Sequence, residues 1–189
     1  MKKILFTILA VVTLHSVSQA QFSLGVTGGP AFSTGNSSNV IDNGYGLGID
    51  ARYQISPNVV AGIGFQRFSY GANAVGINIP GVDFTINPIT ASVAFTPMAQ
   101  GVTPYVGIKG GIYDTRVDLG SLFGISRSYF GFAPTLGVLV PVSDLIDVHA
   151  NVEYHTVFVN ESIPLTEVSL SENINFVPIN IGISFKLGQ

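Results

Sequence analysis

The sequence predicts an all-β fold, an eight-stranded antiparallel up-and-down barrel that spans a membrane. Three observations support this prediction. Segments that alternate between apolar and polar residues recur along the chain, as in strands with one apolar face. Charged residues make up only 10% of the chain, whereas about 25% is ordinary. After the first twenty residues no apolar run reaches the roughly 20 residues of a membrane-spanning helix, but a barrel strand needs apolar side chains only at alternate positions.

The first twenty residues have the features of a cleavable secretory signal peptide. Two lysines precede an apolar run, residues 4–12, that only Thr7 interrupts, and the small residues Ser18 and Ala20 stand where a cleavage site is expected. The run is too short to anchor the chain as a membrane-spanning helix. Cleavage is predicted between Ala20 and Gln21, and because residue 21 is not cysteine, lipid attachment there is not expected. The predicted domains are a signal peptide, residues 1–20, and an outer-membrane β-barrel, residues 21–189.

The predicted mature chain is acidic and contains no cysteine. It has six basic and eleven acidic side chains, a formal net charge of −5. Nucleic acid is therefore not an expected partner. Without cysteine the chain has no disulfide, no thiolate metal site and no cysteine nucleophile. Stability must come from burial and hydrogen bonding.

The first four predicted strands differ in how cleanly they alternate. In the first, residues 22–32, Phe, Leu and Val alternate with Ser, Gly and Thr. The second, residues 45–55, has six apolar residues at its odd positions, with Asp and Arg among the even ones. The third, residues 59–70, alternates until Arg67, where the pattern fails. The fourth, residues 84–96, alternates clearly only in its second half. Each is long enough for a tilted strand of about 9–11 residues to cross a bilayer.

The last four predicted strands carry more polar side chains on one face. The fifth, residues 104–114, sets Val and Ile against Gly, Tyr and one Lys. The sixth, residues 129–140, sets Phe, Leu and Val against Gly, Ala and Thr. The seventh, residues 147–158, has His, Asn, Glu and His on one face, which no ordinary core accepts unpaired. The eighth, residues 175–187, alternates most regularly. The apolar faces are predicted to meet lipid and the polar faces to line the interior.

The connections between predicted strands alternate in length. Short periplasmic turns and long extracellular loops are typical of a bacterial outer-membrane barrel. The even number of strands also agrees with a closed antiparallel barrel. The predicted turns are residues 56–58, 97–103 and 141–146, and the predicted loops are residues 33–44, 71–83, 115–128 and 159–174.

Three prolines fall within predicted strands, namely Pro88, Pro134 and Pro178. Proline has no N–H to donate to a β-ladder. Bulges or local fraying are therefore predicted at these positions. A bulge would also reverse which side chains point inward in residues 84–87 and 129–133.

Charges of both signs fall at mid-strand positions on the predicted inner face. Because burying an unpaired charge costs several kcal/mol, balanced signs favour ion pairs in a closed barrel over an open pore. Two imidazoles and a carboxylate on the seventh strand are capable in principle of binding a metal, but an eight-stranded lumen is filled by side chains in any case. We predict a polar lumen network and no catalytic, cofactor or metal site. Its members are Asp50, Arg52, Gln66, Lys109, His149, Asn151, Glu153 and His155.

The predicted loop ends of the barrel are acidic. They carry seven acidic and two basic side chains. Such a surface is suited to cations or a basic partner, but solvation of an exposed surface explains it better. These side chains are Asp42, Asp83, Asp114, Asp118, Glu161, Glu167 and Glu172, against Arg116 and Arg127.

The mature chain resembles the small OmpA/OmpX-like outer-membrane β-barrels of Gram-negative bacteria, the "porin family" or outer membrane protein beta-barrel domain proteins. The resemblance rests on the signal peptide, Asn87-Pro-Ile, Pro104-Tyr-Val-Gly-Ile-Lys-Gly-Gly and the regular final strand. It implies a cell-envelope protein with a structural or surface-interaction role, no enzymatic activity and no cofactor. The implied partners are the outer-membrane bilayer, the barrel-assembly machinery and an extracellular partner at the loops. Relatives commonly end on an aromatic residue, whereas this chain continues past Phe185, so a weaker insertion signal is expected.

Three other functions remain open from the sequence. A narrow porin-like channel predicts conductance, although eight strands leave little lumen. A lipid-modifying outer-membrane enzyme predicts that lipid composition changes on expression and that His149 or His155 is required. A soluble periplasmic lipocalin-like barrel predicts an apolar interior, and cell fractionation distinguishes it.

Overall fold

The chain is almost entirely β-strand in the computed structural model, which describes residues 22–35, 41–74, 77–97, 101–119, 124–159, 161–162, 169–170 and 173–187. No helix in these ranges is long and apolar enough to cross a membrane. The predicted cleavage position at Ala20 and Gln21 lies outside them. The strands are β1 (Phe22–Thr34), β2 (Ile41–Ser56), β3 (Val59–Ala74), β4 (Ile77–Phe95), β5 (Thr103–Leu119), β6 (Gly124–Pro141), β7 (Ile146–Glu153), β8 (His155–Phe158), β9 (Glu161–Ser162), β10 (Ser169–Leu170) and β11 (Ile174–Leu187).

The main sheet closes on itself as an antiparallel barrel. Each strand from β1 to β6 pairs with the next, and β11 pairs with both β7 and β1. After a break at Tyr154, β8 continues β7 and pairs with the same neighbours, β6 and β11. We call each strand of the wall a stave and count β7 and β8 together as one. The barrel wall therefore has eight staves, which confirms the predicted fold class. β9 and β10 form a separate two-stranded sheet.

The outer surface of the barrel is apolar and the inner surface is mixed. In β11, Ile181 points outward and is 65% exposed, whereas its neighbour in the sequence, Asn180, points inward and is 1% exposed. The same alternation gives β2 an exposed Leu47 and Ile49 on either side of the inward Gly48. This arrangement is opposite to the one predicted for a soluble lipocalin-like barrel.

Pro88 does not produce the predicted bulge. The β3–β4 ladder pairs Phe65 with Ile89 and Phe68 with Ile86, which is one unchanged register on either side of the proline. The ladder only omits the two pairs between them, because proline has no N–H to donate. The face assignment above Pro88 is therefore not reversed, and Ile86 points into the barrel.

Pro134 and Pro178 lie on the two strands that flank the break between β7 and β8. Tyr154 N donates a hydrogen bond of 3.0 Å to Pro134 O, although neither strand continues the regular ladder at this level. Beyond the break, His155 pairs with Phe176 in the same register as before. The predicted fraying is thus present at this level, whereas the predicted bulges are wrong and Phe130 remains on the outer face.

Two of the predicted loops are mostly strand. β3 continues to Ala74 and β4 begins at Ile77, so the range 71–83 forms a hairpin. The range 115–128 is likewise occupied by the ends of β5 and β6. Backbone pairing continues here although apolar and polar residues no longer alternate regularly, because hydrogen bonds of the ladder need no apolar face. The predicted turns are short, as expected.

The apolar core lies inside the half of the barrel nearer the long connections. Alternation continues past Arg67, which is exposed, and it places Phe68 and Tyr70 inside the barrel. The sequence pattern fails at Arg67, as predicted, because polar and apolar residues exchange faces there while the strand itself continues. The cluster consists of Ala31, Phe68, Tyr70, Ile86, Tyr113, Val157 and Phe176.

Candidate functional site

The polar side chains inside the barrel form two connected clusters below the apolar core. The first is centred on the buried Glu153 of β7. Its Oε1 accepts hydrogen bonds from Lys109 Nζ at 2.7 Å and Asn180 Nδ2 at 3.3 Å. Its Oε2 lies 2.8 Å from His155 Nε2, and His155 Nδ1 lies 2.9 Å from the Tyr113 hydroxyl oxygen. Three staves, the β7–β8 stave, β11 and β5, therefore meet at one carboxylate.

Hydrogen-bond chemistry fixes the arrangement around His155. The Glu153 carboxylate only accepts, so His155 Nε2 carries the hydrogen and Nδ1 accepts from Tyr113. The imidazole stacks on Phe176 with ring centroids 4.4 Å apart and meets the ring of Phe68 edge-on at 5.6 Å. His155 thus joins the polar cluster to the aromatic core above it.

The second cluster is centred on Arg52 of β2. Arg52 Nε lies 2.6 Å from Asp50 Oδ2, and a terminal nitrogen donates to Asp50 Oδ1 at 3.0 Å. The same guanidinium lies 3.3 Å from His149 Nε2. Because arginine only donates, His149 Nε2 accepts and its Nδ1–H donates to Ser184 Oγ at 3.2 Å. Gly182 leaves room for this imidazole, since a Cβ there would lie 2.5 Å from Nε2.

Two asparagines extend the first cluster toward the turn end. Asn180 Nδ2 donates to Asn151 Oδ1 at 3.0 Å, and Asn151 Nδ2 donates to the Tyr105 hydroxyl at 3.1 Å. At the turn-side mouth, Lys186 Nζ lies 3.0 Å from Asp147 Oδ1.

The structure brings together seven of the eight side chains predicted for the lumen. The exception is Gln66, which is buried but whose Oε1 has no hydrogen-bond partner among the described residues. Sequence reasoning did not nominate Tyr105, Tyr113, Asn180 and Ser184 as members. Strand parity alone would have found them, because all four occupy inward positions of predicted strands.

Both clusters consist of ion pairs and hydrogen bonds between side chains of different staves. In the first cluster Glu153 and His155 have no exposed side-chain surface. Within the described ranges no group of three His, Asp or Glu side chains converges as a metal site requires. What the arrangement does chemically is satisfy buried polar groups and hold staves together.

The outer face becomes polar where the strands approach the long connections. Phe65, Ile89, Ile112 and Phe130 are exposed apolar residues on adjacent staves. Two positions further along each strand the outward residues change in character, and Ser128 Oγ donates a hydrogen bond to Asp114. The apolar band ends at this level, and the β3–β4 and β5–β6 hairpins extend beyond it. The polar outward residues are Arg67, Asn87, Asp114 and Ser128.

Comparison with known proteins identifies related sequences and folds. A family model described as the outer membrane protein beta-barrel domain matches residues 4–186. No curated protein matches the chain significantly.

Several solved structures share the fold at low sequence identity. Neisserial surface protein A has a TM-score of 0.65 and 20% identity, over 90% of this chain and 100% of its own. The attachment invasion locus protein Ail of Yersinia pestis, in complex with the heparin analogue sucrose octasulfate, has a TM-score of 0.59 and 16% identity, over 89% and 99%. OprG of Pseudomonas aeruginosa has a TM-score of 0.59 and 17% identity, over 88% and 96%. All three share the barrel fold with this chain, and at these identities the likeness shows the fold alone.

Proposed function

Because the chain belongs to the outer membrane protein beta-barrel domain family, we propose that it is a closed, non-enzymatic barrel with a structural or surface-interaction role at the cell surface. The protein is an outer-membrane β-barrel, and the resemblance found in its sequence is confirmed. The proposal further assigns its insertion to the barrel-assembly machinery. It places the interaction at the ends of the strands beyond the apolar band.

The observation that supports a closed barrel is the filled interior. Phe68, Tyr113 and Phe176 are fully buried across the loop half, and the Glu153 cluster lies directly below them. An ion crossing the barrel would have to displace both the aromatic rings and a hydrogen-bonded ion pair. This favours an interaction role over the porin-like channel.

Planar-bilayer recordings test the closed barrel. Purified protein whose migration on a denaturing gel is heat-modifiable, as expected of folded barrels, should give no conductance steps above those of the empty bilayer. The matched control is an open-lumen variant, Phe68→Ala with Phe176→Ala, which removes two of the three largest fully buried rings of the closure. Discrete steps from the natural protein would contradict the proposal.

The charge of the extracellular ends indicates the kind of partner. The ranges proposed as outer loops, together with Asp114, carry seven acidic and two basic side chains. Ail was crystallised with a polysulfated heparin analogue, but an acidic surface repels a polyanion. We therefore propose that this chain meets a partner with a basic surface and does not bind heparin.

Removing the longest connection tests the interaction role. Replacing residues 160–172 by a short Gly-Ser linker should abolish adhesion of expressing cells to immobilised basic extracellular-matrix protein, because this connection carries three of the acidic side chains. Heat-modifiable migration should be retained, since β8 and β11 remain. A control variant with Glu161, Glu167 and Glu172 changed to Gln should lose most of the adhesion too. Undiminished adhesion of the linker variant would reject the interaction role for this connection.

The lipid-modifying enzyme is the remaining alternative. Both histidines point into the barrel, away from the lipid-facing surface, and each has a hydrogen-bond partner on both ring nitrogens. This supports a purely structural role for them, and the absence of enzymatic activity stays part of the proposal.

A further inference from the structure

The turn half of the barrel interior is hollow, in contrast to the loop half. It contains a cavity of about 720 Å³ that extends from Lys109 and Asn151 to turn residues such as Pro57 and Thr103. Small-molecule sites commonly have volumes of about 300–1,000 Å³. Because the aromatic core closes the other end, the cavity is a blind vestibule that faces the periplasm.

The basic side chains are the charged groups that the vestibule exposes most. The side chains of Arg52, Lys109 and Lys186 are 21%, 21% and 18% exposed. Their carboxylate partners Asp50, Glu153 and Asp147 are 17%, 0% and 8% exposed. Glu153 does not reach the vestibule at all, so three cations but only two carboxylates line it. The three ion pairs are neutral in total, but the surface that they present to the vestibule is more cationic than anionic.

The same wall presents hydrogen-bond donors that have no acceptor among the described residues. Lys109 and Lys186 each carry three N–H donors, and each contacts one carboxylate oxygen among the described residues. The Tyr105 hydroxyl accepts from Asn151, which leaves its own O–H directed to no acceptor in the described chain. Surplus donors beside positive charge are satisfied best by an anion with several oxygen atoms, such as a carboxylate or a phosphate.

One part of the vestibule wall is apolar. Val60, Ala94 and Leu139 line the vestibule there, on strands β3, β4 and β6. A ligand whose charged end meets Lys109 and Lys186 would thus lay its other end against aliphatic side chains, which favours a short apolar body.

We propose that the vestibule is a periplasmic binding site for a small amphipathic anion, with a carboxylate or phosphate at the basic side chains and an apolar body against Val60, Ala94 and Leu139. The site is separate from the extracellular ends of the barrel. It binds without transporting, because the lumen above Lys109 and Glu153 is filled.

Calorimetric titration of the mature protein in nanodiscs tests this site, with empty nanodiscs subtracted. The probes are hexanoate and hexyl phosphate, and the matched neutral probe is hexanamide. Saturable binding of at least one anion, weakened by added salt, with no saturable binding of hexanamide, is expected. The tighter anion identifies the head group.

Variants on both sides of one ion pair sharpen the test. Lys186→Gln should weaken anion binding about tenfold, the usual size of a lost charge-assisted hydrogen bond, whereas Asp147→Asn should strengthen it by freeing Lys186. Ala94→Phe should abolish binding by filling the vestibule, and Arg67→Gln on the outer face should leave it unchanged. Equal binding of hexanamide, no saturable anion binding, or full affinity in both Lys186→Gln and Ala94→Phe would overturn the proposal. Heat-modifiable migration verifies folding of each variant.

Discussion

Replacing Glu153 with leucine is expected to lower the free energy of unfolding by about 3–5 kcal/mol, the usual cost of breaking a buried ion pair from one side. The carboxylate accepts hydrogen bonds from Lys109, His155 and Asn180, and leucine leaves all three donors without it. Because Lys109 still contacts the vestibule, the lower end of that range is expected. Urea titration in lipid vesicles, followed by heat-modifiable migration, measures the change, since the chain has no tryptophan to report by fluorescence.

Two further variants separate charge from packing at this position. Glu153→Gln keeps an oxygen acceptor for Lys109, and the His155 imidazole is able to move its hydrogen to Nδ1, so a smaller loss is expected. Adding Lys109→Met to Glu153→Leu removes both charges and should recover much of the stability lost by the single variant. If the double variant were as unstable as the sum of the two single variants, the ion pair would not be the cause.

Phe176→Ala is expected to destabilise the barrel by about 3–5 kcal/mol, as large-to-small changes of buried aromatic residues usually do. The ring is 1% exposed, stacks on the His155 imidazole at 4.4 Å, and meets Phe68 edge-on at 5.0 Å. Removing it leaves a void at the centre of the apolar core. The same urea titration provides the measurement.

The matched control is Phe130→Ala on the outer face, where the side chain is 61% exposed and meets lipid. Lipid fills the space that this ring vacates, so a loss less than half as large is expected. Phe176→Leu should also cost less than Phe176→Ala, because most of the volume remains. Equal losses for Phe176→Ala and Phe130→Ala would show that the loop half of the lumen is not a packed core.

The alternation of apolar and polar residues predicted the staves well, because the outer side of the barrel wall meets lipid and the inner side does not. In β11, for instance, every second residue from Ile179 to Leu187 is apolar, and lipid contact requires this in the sequence. Above the apolar band the requirement disappears. Phe68 and Tyr70 are then inside and Arg67 is outside, and a pattern that equates apolar with outward cannot detect this.

The partners within the lumen were less accessible to sequence reasoning. Alternation placed Tyr113 and His155 on inner faces, but the contact between them joins residues 42 apart and depends on how neighbouring staves are offset. The prolines were misjudged for a similar reason. Whether Pro88 or Pro178 causes a bulge depends on whether the neighbouring stave tolerates a missing ladder pair, which is a property of the assembled wall.

The seam, where β1 pairs with β11, closes the barrel, so the wall is complete only once β11 is in place. The small β9–β10 sheet lies apart from the wall. With β7 and β8 counted as one stave, every other pairing in the wall joins consecutive staves. The seam instead joins distant residues, such as Thr27 and Ile181, which are 154 apart in the sequence. Without β11 the other staves are able to form only an open sheet with two unpaired edges, and each edge is a template for aggregation. Stability cannot accumulate hairpin by hairpin in the bilayer, since an unclosed edge leaves backbone groups unsatisfied in lipid. Assembly therefore requires that β1 be kept from other pairings until the fourteen residues of β11 have been synthesised and exported.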